Sequence, residues 1–220
     1  MLLSDYFKQA GEHAFMAHGA QGPLEVILSV PERLNSSYLA VLGHPHSLQG
    51  GTMNNKVVTS LARVFKELNI ASLRFNFRGV GKSAGHYDAG LGESDDMLSL
   101  ARQCQQIWPE LRFILAGFSF GSYVSYRAAA SLPTELLISI APPVHHFDYS
   151  ILRPQTRAWI VVQGDEDEVV PKALVDDFVA QSSLAPQYLV FPGTGHFFHG
   201  KLVELKARLL TMIQAEIGGA

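Results

Sequence analysis

Short apolar runs of strand length alternate with apolar stripes of helical spacing through most of this chain, and no other feature restricts its fold so much. The runs Tyr38–Gly43, Ala71–Phe77, Arg112–Gly117, Leu136–Ile140, Ala158–Gln163 and Tyr188–Phe191 contain few polar residues. Between them, Val57, Leu61, Val64, Phe65 and Leu68 recur at helical spacing, as do Met97, Leu98, Ala101 and Ile107. Tyr123 to Ala130 reads as another helix, Pro171 opens one where its missing N–H costs little, and Leu202 to Ile217 closes the chain. Strands apolar on both faces must be covered on both, so the pattern predicts an α/β fold: a mostly parallel twisted sheet between helices. Ahead of it, Phe15–His18, a turn through Gly19–Gly22, and Leu24–Val30 predict an N-terminal antiparallel hairpin. With no repeat, low-complexity tract or linker, residues 1–220 read as one domain.

Composition removes several function classes. The net charge of −3 and the scattered Lys and Arg residues give nucleic acid no phosphate-tracking stripe to bind. No segment approaches ~18 consecutive apolar residues, so a membrane span is not expected. Met1-Leu2-Leu3-Ser4-Asp5 lacks the basic and apolar regions of a secretory leader, which points to the cytoplasm. The single cysteine, Cys104, has no partner for an intrachain disulfide and reads as a small packing residue. Nothing calls for a cofactor.

One motif carries chemistry. Gly117-Phe118-Ser119-Phe120-Gly121 matches G-x-S-x-G, with the strand run Phe113-Ile114-Leu115-Ala116 before it and a helix after it. A serine on so sharp a turn is held in a strained conformation, and its small neighbours keep other backbone clear. The following helix then aims unpaired N–H groups at the hydroxyl.

A serine nucleophile needs a base, and the base needs an orienting acid. In sheets of this type the order along the chain is Ser, acid, His. The loop after Trp159–Val162 offers Asp165, Glu166, Asp167 and Glu168. Asp167 is preferred because it lies midway between the strand end and the helix at Pro171; Asp165, closer to the strand, is the alternative. His196 follows the last strand within Gly193-Thr194-Gly195-His196-Phe197-Phe198, where glycines let the loop carry the ring over Ser119. His199 reads as a surface residue.

Acyl transfer also needs donors for the developing oxyanion. One is the backbone N–H of Phe120, and the second is expected from the loop Gly43-His44-Pro45-His46-Ser47-Leu48. Pro45 has no N–H to give. The main chain of His46 is therefore the first choice, with Leu48 behind it. His44 and His46 lack further ligands at convincing spacing, so no metal site is expected.

His44 to Val57, the run Arg74-Phe75-Asn76-Phe77-Arg78-Gly79-Val80-Gly81-Lys82-Ser83, the Ser119 turn and the loops of Asp167 and His196 together resemble a small, lidless α/β-hydrolase family. This is a group of bacterial predicted hydrolases near the dienelactone-hydrolase-like branch, and the likeness spans nearly the whole chain. The resemblance implies the α/β-hydrolase fold, a triad on Ser119, Asp167 and His196, and cleavage of small esters. Two departures stand out: Ser47 replaces an expected proline, and the elbow carries serine where dienelactone hydrolases carry cysteine. Gly79-Val80-Gly81-Lys82-Ser83 is not a P-loop, because Asn76 occupies the leading glycine position. Lids of that superfamily enter between the strands ending near Ile140 and starting near Ala158. Only 17 residues, Ala141 to Arg157, lie there, too few for a lid domain.

The expected site is thus an open cleft walled by Leu48, Phe120, Val144, His145, His146 and Phe197, suited to short acyl groups. The leading reading is a carboxylesterase-like serine hydrolase whose partner is a small-molecule ester. A thioesterase or small acyl-peptidase would use the same residues, and a non-catalytic ligand-binding protein of this fold is the alternative from another class. Oligomeric state is not legible.

Overall fold

Successive residues of a strand point to opposite faces, and here both faces are buried. In the computed structural model, which describes residues 3–218, Leu39, Val41, Phe113 and Leu115 belong to one apolar cluster. Tyr38, Ala40, Leu42, Ile114, Ala116 and Phe118 belong to the other. The unbroken apolar runs are therefore two interleaved core patterns. Met1 and Leu2 of the leader reading, and the last two residues of the 1–220 domain reading, lie outside the described residues.

A short helix α1 (Leu3–Tyr6) precedes the hairpin β1 (Gly11–Gly19) and β2 (Gly22–Val30). Then follow β3 (Tyr38–Gly43), α2 (Lys56–Glu67), β4 (Ala71–Phe75), α3 (Leu91–Ile107), β5 (Arg112–Phe118) and α4 (Phe120–Ala129). The chain continues through β6 (Thr134–Ile140), β7 (Thr156–Gly164), α5 (Lys172–Gln181), β8 (Gln187–Phe191) and α6 (Leu202–Ile217). The eight strands form one sheet in the order β1-β2-β4-β3-β5-β6-β7-β8. β2 runs antiparallel to both β1 and β4, and every other pairing is parallel. Residues of α2 and α6 pack in one apolar cluster and residues of α3, α4 and α5 in the other, one on each face. The α/β-hydrolase fold with its N-terminal hairpin and no lid is thus present.

The expected elements lie where the sequence put them, with shifted ends. β4 stops at Phe75 rather than Phe77: the Asn76 N–H still donates to the Glu25 carbonyl of β2 at 2.9 Å, but the Phe77 N–H turns to the His44 ring and donates to its Nε2 at 2.9 Å. α3 begins at Leu91, ahead of the Met97 stripe, because the Glu93 carboxylate caps its start by accepting the N–H groups of Asp88 and Gly90, both at 2.9 Å. That first turn is polar, so hydrophobic periodicity does not reveal it. α1 was not expected.

One connection differs from the rest. Each parallel crossover around β3, β4, β5 and β6 carries a helix, and so does β7 to β8, but the segment between β6 and β7 has none.

Candidate active site

β5 ends at Phe118 and α4 starts at Phe120, so Ser119 alone must reverse the chain. It does so at φ 54°, ψ −124°, a region that costs a residue with a Cβ. The surroundings hold it there: its N–H donates to the Ile140 carbonyl at 2.8 Å, and its carbonyl accepts from the Ser122 N–H at 2.8 Å and hydroxyl at 2.7 Å. The motif glycines are required by contact. A Cβ on Gly117 would lie 2.0 Å from the Gly121 carbonyl oxygen, and one on Gly121 would lie 2.3 Å from the Gly43 carbonyl carbon. Strand β5, helix α4 and the end of β3 therefore touch through bare backbone. The serine lies at the carboxyl ends of β3 and β5, where the strand order diverges and sheets of this kind open a crevice.

Two later loops meet it there. His196 Nε2 is 3.0 Å from Ser119 Oγ, and its Nδ1 is 2.8 Å from Asp167 Oδ2. Asp167 Oδ1 accepts the N–H groups of Val169 at 2.9 Å and Val170 at 2.7 Å. Burial works to raise the Asp167 pKa, but the His196 hydrogen bond and charge and the two N–H groups outweigh it and hold the carboxyl below its ordinary range. With the carboxylate ionised, Nδ1 carries the ring proton and Nε2 is left to accept from the serine hydroxyl.

The loop around this chain of bonds is braced by residues the sequence reading passed over. Gln163 donates Nε2 to Asp167 Oδ2 at 3.1 Å and to the Val170 carbonyl at 2.9 Å. Glu168 accepts the His196 N–H at 3.2 Å. Asp165, the alternative acid, instead accepts the Thr194 N–H at 3.3 Å and ties the two loops together. A polar residue at the end of an otherwise apolar strand, Val161-Val162-Gln163, was the available signal for Gln163.

On the other side, the loop after β3 is built around His44. Its Nε2 accepts the Phe77 N–H at 2.9 Å, which leaves Nδ1 to donate to the Pro45 carbonyl at 2.7 Å. Both nitrogens are spent on main chain, and burial pushes its pKa down to about 4. The Arg-Phe-Asn-Phe-Arg run shores up the same region. Asn76 Oδ1 accepts the Met53 N–H at 3.0 Å, Arg74 donates to Asn54 at 3.3 Å and Glu12 at 2.8 Å, and Arg78 pairs with the buried Asp96 at 2.8 Å. The discarded nucleotide motif is occupied by the protein itself: Glu25 accepts the Lys82 N–H at 3.0 Å.

Of the two oxyanion candidates from this loop, Leu48 is ruled down by its own neighbourhood. Its N–H donates to His46 Nδ1 at 3.3 Å. The His46 ring sits 5.2 Å from that of Phe120, so the loop bearing the His46 N–H adjoins the start of α4. Burial first, then the nearby His146, lowers the His46 pKa, against the raising effect of Glu93.

The expected walls divide. Phe197 is 42% exposed and stands nearly perpendicular to the His196 ring at 5.1 Å, forming a true outer surface. Phe120 is instead an interior residue, 1% exposed, set among Phe77, Tyr87 and Phe147. Leu48 points to solvent at 72% exposure. Val144 is half-buried, and His145 is exposed with its ring 3.8 Å from His146. His199 is exposed beside Phe197.

Comparison with known proteins fits this geometry. No family model matches the chain. A crystal structure from Xanthomonas campestris, described as an α/β serine hydrolase without lid, is 42% identical and superposes with a TM-score of 0.88, covering 95% of this chain and 94% of that one. An α/β serine hydrolase homologue from Coxiella burnetii is 44% identical, with TM-score 0.88 and coverage of 92% and 98%. This chain belongs to the lidless α/β serine hydrolases. An uncharacterised protein of Rickettsia prowazekii (strain Madrid E) is a further relative, 34% identical over 197 residues, covering 85% of this chain and 82% of that protein. Within this lidless hydrolase, the departure at Ser47 leaves a buried hydroxyl with no hydrogen-bond partner among the described residues. Among those residues no helix is long and apolar enough to cross a membrane.

Proposed function

We propose that this lidless hydrolase, taken as one domain over residues 1–220, is a carboxylesterase-like enzyme that cleaves small, short-acyl esters through a covalent acyl-enzyme. The observation that carries the proposal is the unbroken hydrogen-bond chain Ser119–His196–Asp167 at a strained strand-to-helix turn. Ser119 Oγ attacks the ester carbonyl while His196 Nε2 takes its proton, and Asp167 steadies the imidazolium that forms. The Phe120 and His46 amides stabilise the oxyanion. His196 then returns the proton to the leaving alcohol, and a water activated by the same base releases the acid. Leu48, Val144, His145 and Phe197 are the side chains we place around the substrate. A cytoplasmic location belongs to the same reading.

Labelling with a small fluorophosphonate tests it. Wild type is expected to label and Ser119→Ala is not; no labelling of wild type, or equal labelling of both, overturns it. Parallel rates on matched ester, thioester and amide substrates then decide between the esterase and its thioesterase or acyl-peptidase alternatives.

A further inference from the structure

Three hydrogen bonds converge on His46 from the turn that follows it. Ser47–Gln49 form one short helical turn, and the His46 carbonyl accepts the N–H groups of Gln49 at 3.1 Å and Gly51 at 3.0 Å. The third bond is made by the side chain, whose Nδ1 accepts the Leu48 N–H at 3.3 Å and caps the turn. A main-chain N–H can only donate, so this bond needs a bare Nδ1 and leaves the ring proton on Nε2. The turn is tightly closed: a Cβ on Gly51 would lie 2.1 Å from the Pro45 carbonyl oxygen.

The same ring reaches across to the start of α4. It packs 5.2 Å from the ring of Phe120 and 4.9 Å from that of Tyr87, and Phe120 is the residue directly after Ser119. The side chain thus joins the two segments that bear the His46 and Phe120 amides. Phenylalanine could supply the packing and asparagine the cap; histidine supplies both, and its cap can be titrated. Burial acts first to keep the ring neutral, Glu93 of α3 opposes it, and His146 of the β6–β7 segment adds to burial. The balance is a pKa below the ordinary histidine value, while burial keeps the neighbouring Tyr87 hydroxyl uncharged.

We propose that the His46 side chain is a positioning residue for the oxyanion site: its bare Nδ1 holds the turn from which the His46 amide is presented, and protonation of the ring releases that turn. The proposal rests on the esterase reading, in which that amide meets the oxyanion. Protonation makes Nδ1 a second donor facing the Leu48 N–H, so the cap is lost. The oxyanion forms only after Ser119 attacks, so a displaced amide lowers kcat and leaves KM nearly unchanged. Acid then lowers activity by two routes, protonation of the base His196 and release of the turn at His46.

Two variants separate the ring from its cap. His46→Phe keeps an aromatic ring against Phe120 and removes the acceptor, whereas His46→Asn keeps an acceptor and removes the titration. With 4-nitrophenyl acetate at neutral pH, His46→Phe is expected to lower kcat about tenfold with KM within about twofold, a fraction of the loss caused by deleting a whole oxyanion donor. His46→Asn is expected to stay within about threefold of wild type. The ratio of wild-type to His46→Asn kcat cancels the ionisation of His196, and it is expected to fall about threefold between pH 7.5 and 5. Undiminished kcat in His46→Phe, or a ratio flat across that range, overturns the proposal. A readout without chemistry is the Leu48 amide resonance of Ser119→Ala protein, which is expected to shift as the His46 ring titrates; an amide that ignores the ring also overturns it. Failure of wild type to label with fluorophosphonate overturns the esterase reading instead, while the Leu48 amide still judges the cap. Circular dichroism and an unfolding midpoint matching wild type separate a loss in His46→Phe from misfolding.

Discussion

His44 and His196 are both buried, at 0% and 2% exposure, both at the carboxyl end of the sheet, and each has both ring nitrogens hydrogen-bonded. Their partners differ. His44 is held by a main-chain N–H and a main-chain carbonyl, neither of which can change charge. His196 lies between a hydroxyl that can release a proton and a carboxylate that can steady the resulting cation. Burial therefore locks His44 neutral, down to about pH 4, and makes it a brace, whereas the same burial around His196 isolates a proton path. The chemistry of a buried histidine follows from whether its neighbours can ionise, and neither depth nor the number of hydrogen bonds distinguishes the two.

Several measurements would break or sharpen that contrast. The largest effect is expected at the proton path itself: Ser119→Ala and His196→Ala should each lower kcat by roughly 10⁵-fold in a steady-state ester assay. Next, Asp167→Asn should cost about 10³-fold and Asp165→Asn only a few-fold, because Asp165 ties a loop while Asp167 holds the ring. The reverse ranking would move the acid to Asp165 and dissolve the comparison. His44→Ala should act as loss of a brace. It leaves the Phe77 N–H and the Pro45 carbonyl without partners, so thermal unfolding should report a loss of about 3 kcal/mol, with kcat down roughly 10²-fold as the oxyanion loop loosens.

Acid stability checks the neutral state of His44 directly. Its folded pKa lies below the ordinary histidine value, so the unfolded chain binds its proton first as pH falls. Between pH 6.5 and about 4 this removes up to about 3 kcal/mol of stability from wild type. Asp167 adds to the loss further into acid, since its lowered pKa stabilises the fold only while it stays ionised. Urea unfolding across pH 7 to 4 should show the slope, and His44→Gln should flatten its upper part; an unchanged slope would mean His44 is not the group responsible. The smallest effect is expected from Gln163→Met, which removes one donor from Asp167 at similar volume. A fall in kcat of about tenfold or less is expected, with the carboxyl titrating at higher pH and the acid-side loss of stability moving up with it.

Much of the fold could be read directly because it is written locally. Strand runs and helix stripes are patterns of neighbours, and among the ends that shifted, those of β4 and α3 were decided by polar contacts of Phe77 and Glu93 that periodicity does not show. The serine turn is local too: strand, glycine, serine, glycine and helix follow one another without a gap. Reading weakened with sequence distance. Asp167 could be preferred over Asp165 only by its place in the loop, since four acids within a few residues look alike until the His196 ring is set among them. Glu168 and His44 were invisible as braces, because each acts on a main-chain N–H brought to it by another loop, and Gln163 because its partners are fixed only once its own loop folds back on it. Leu48 looked a fair oxyanion donor until the His46 side chain claimed its N–H.

By itself, then, the sequence determined a sheet covered on two faces and a strained serine at the end of one of its strands, since both follow from the order of apolar, small and polar residues along the chain. Tertiary structure alone decided which acid meets the histidine and which buried histidine serves only as a brace. Those are properties of groups far apart in the chain, settled by where packing and hydrogen bonding bring them to rest.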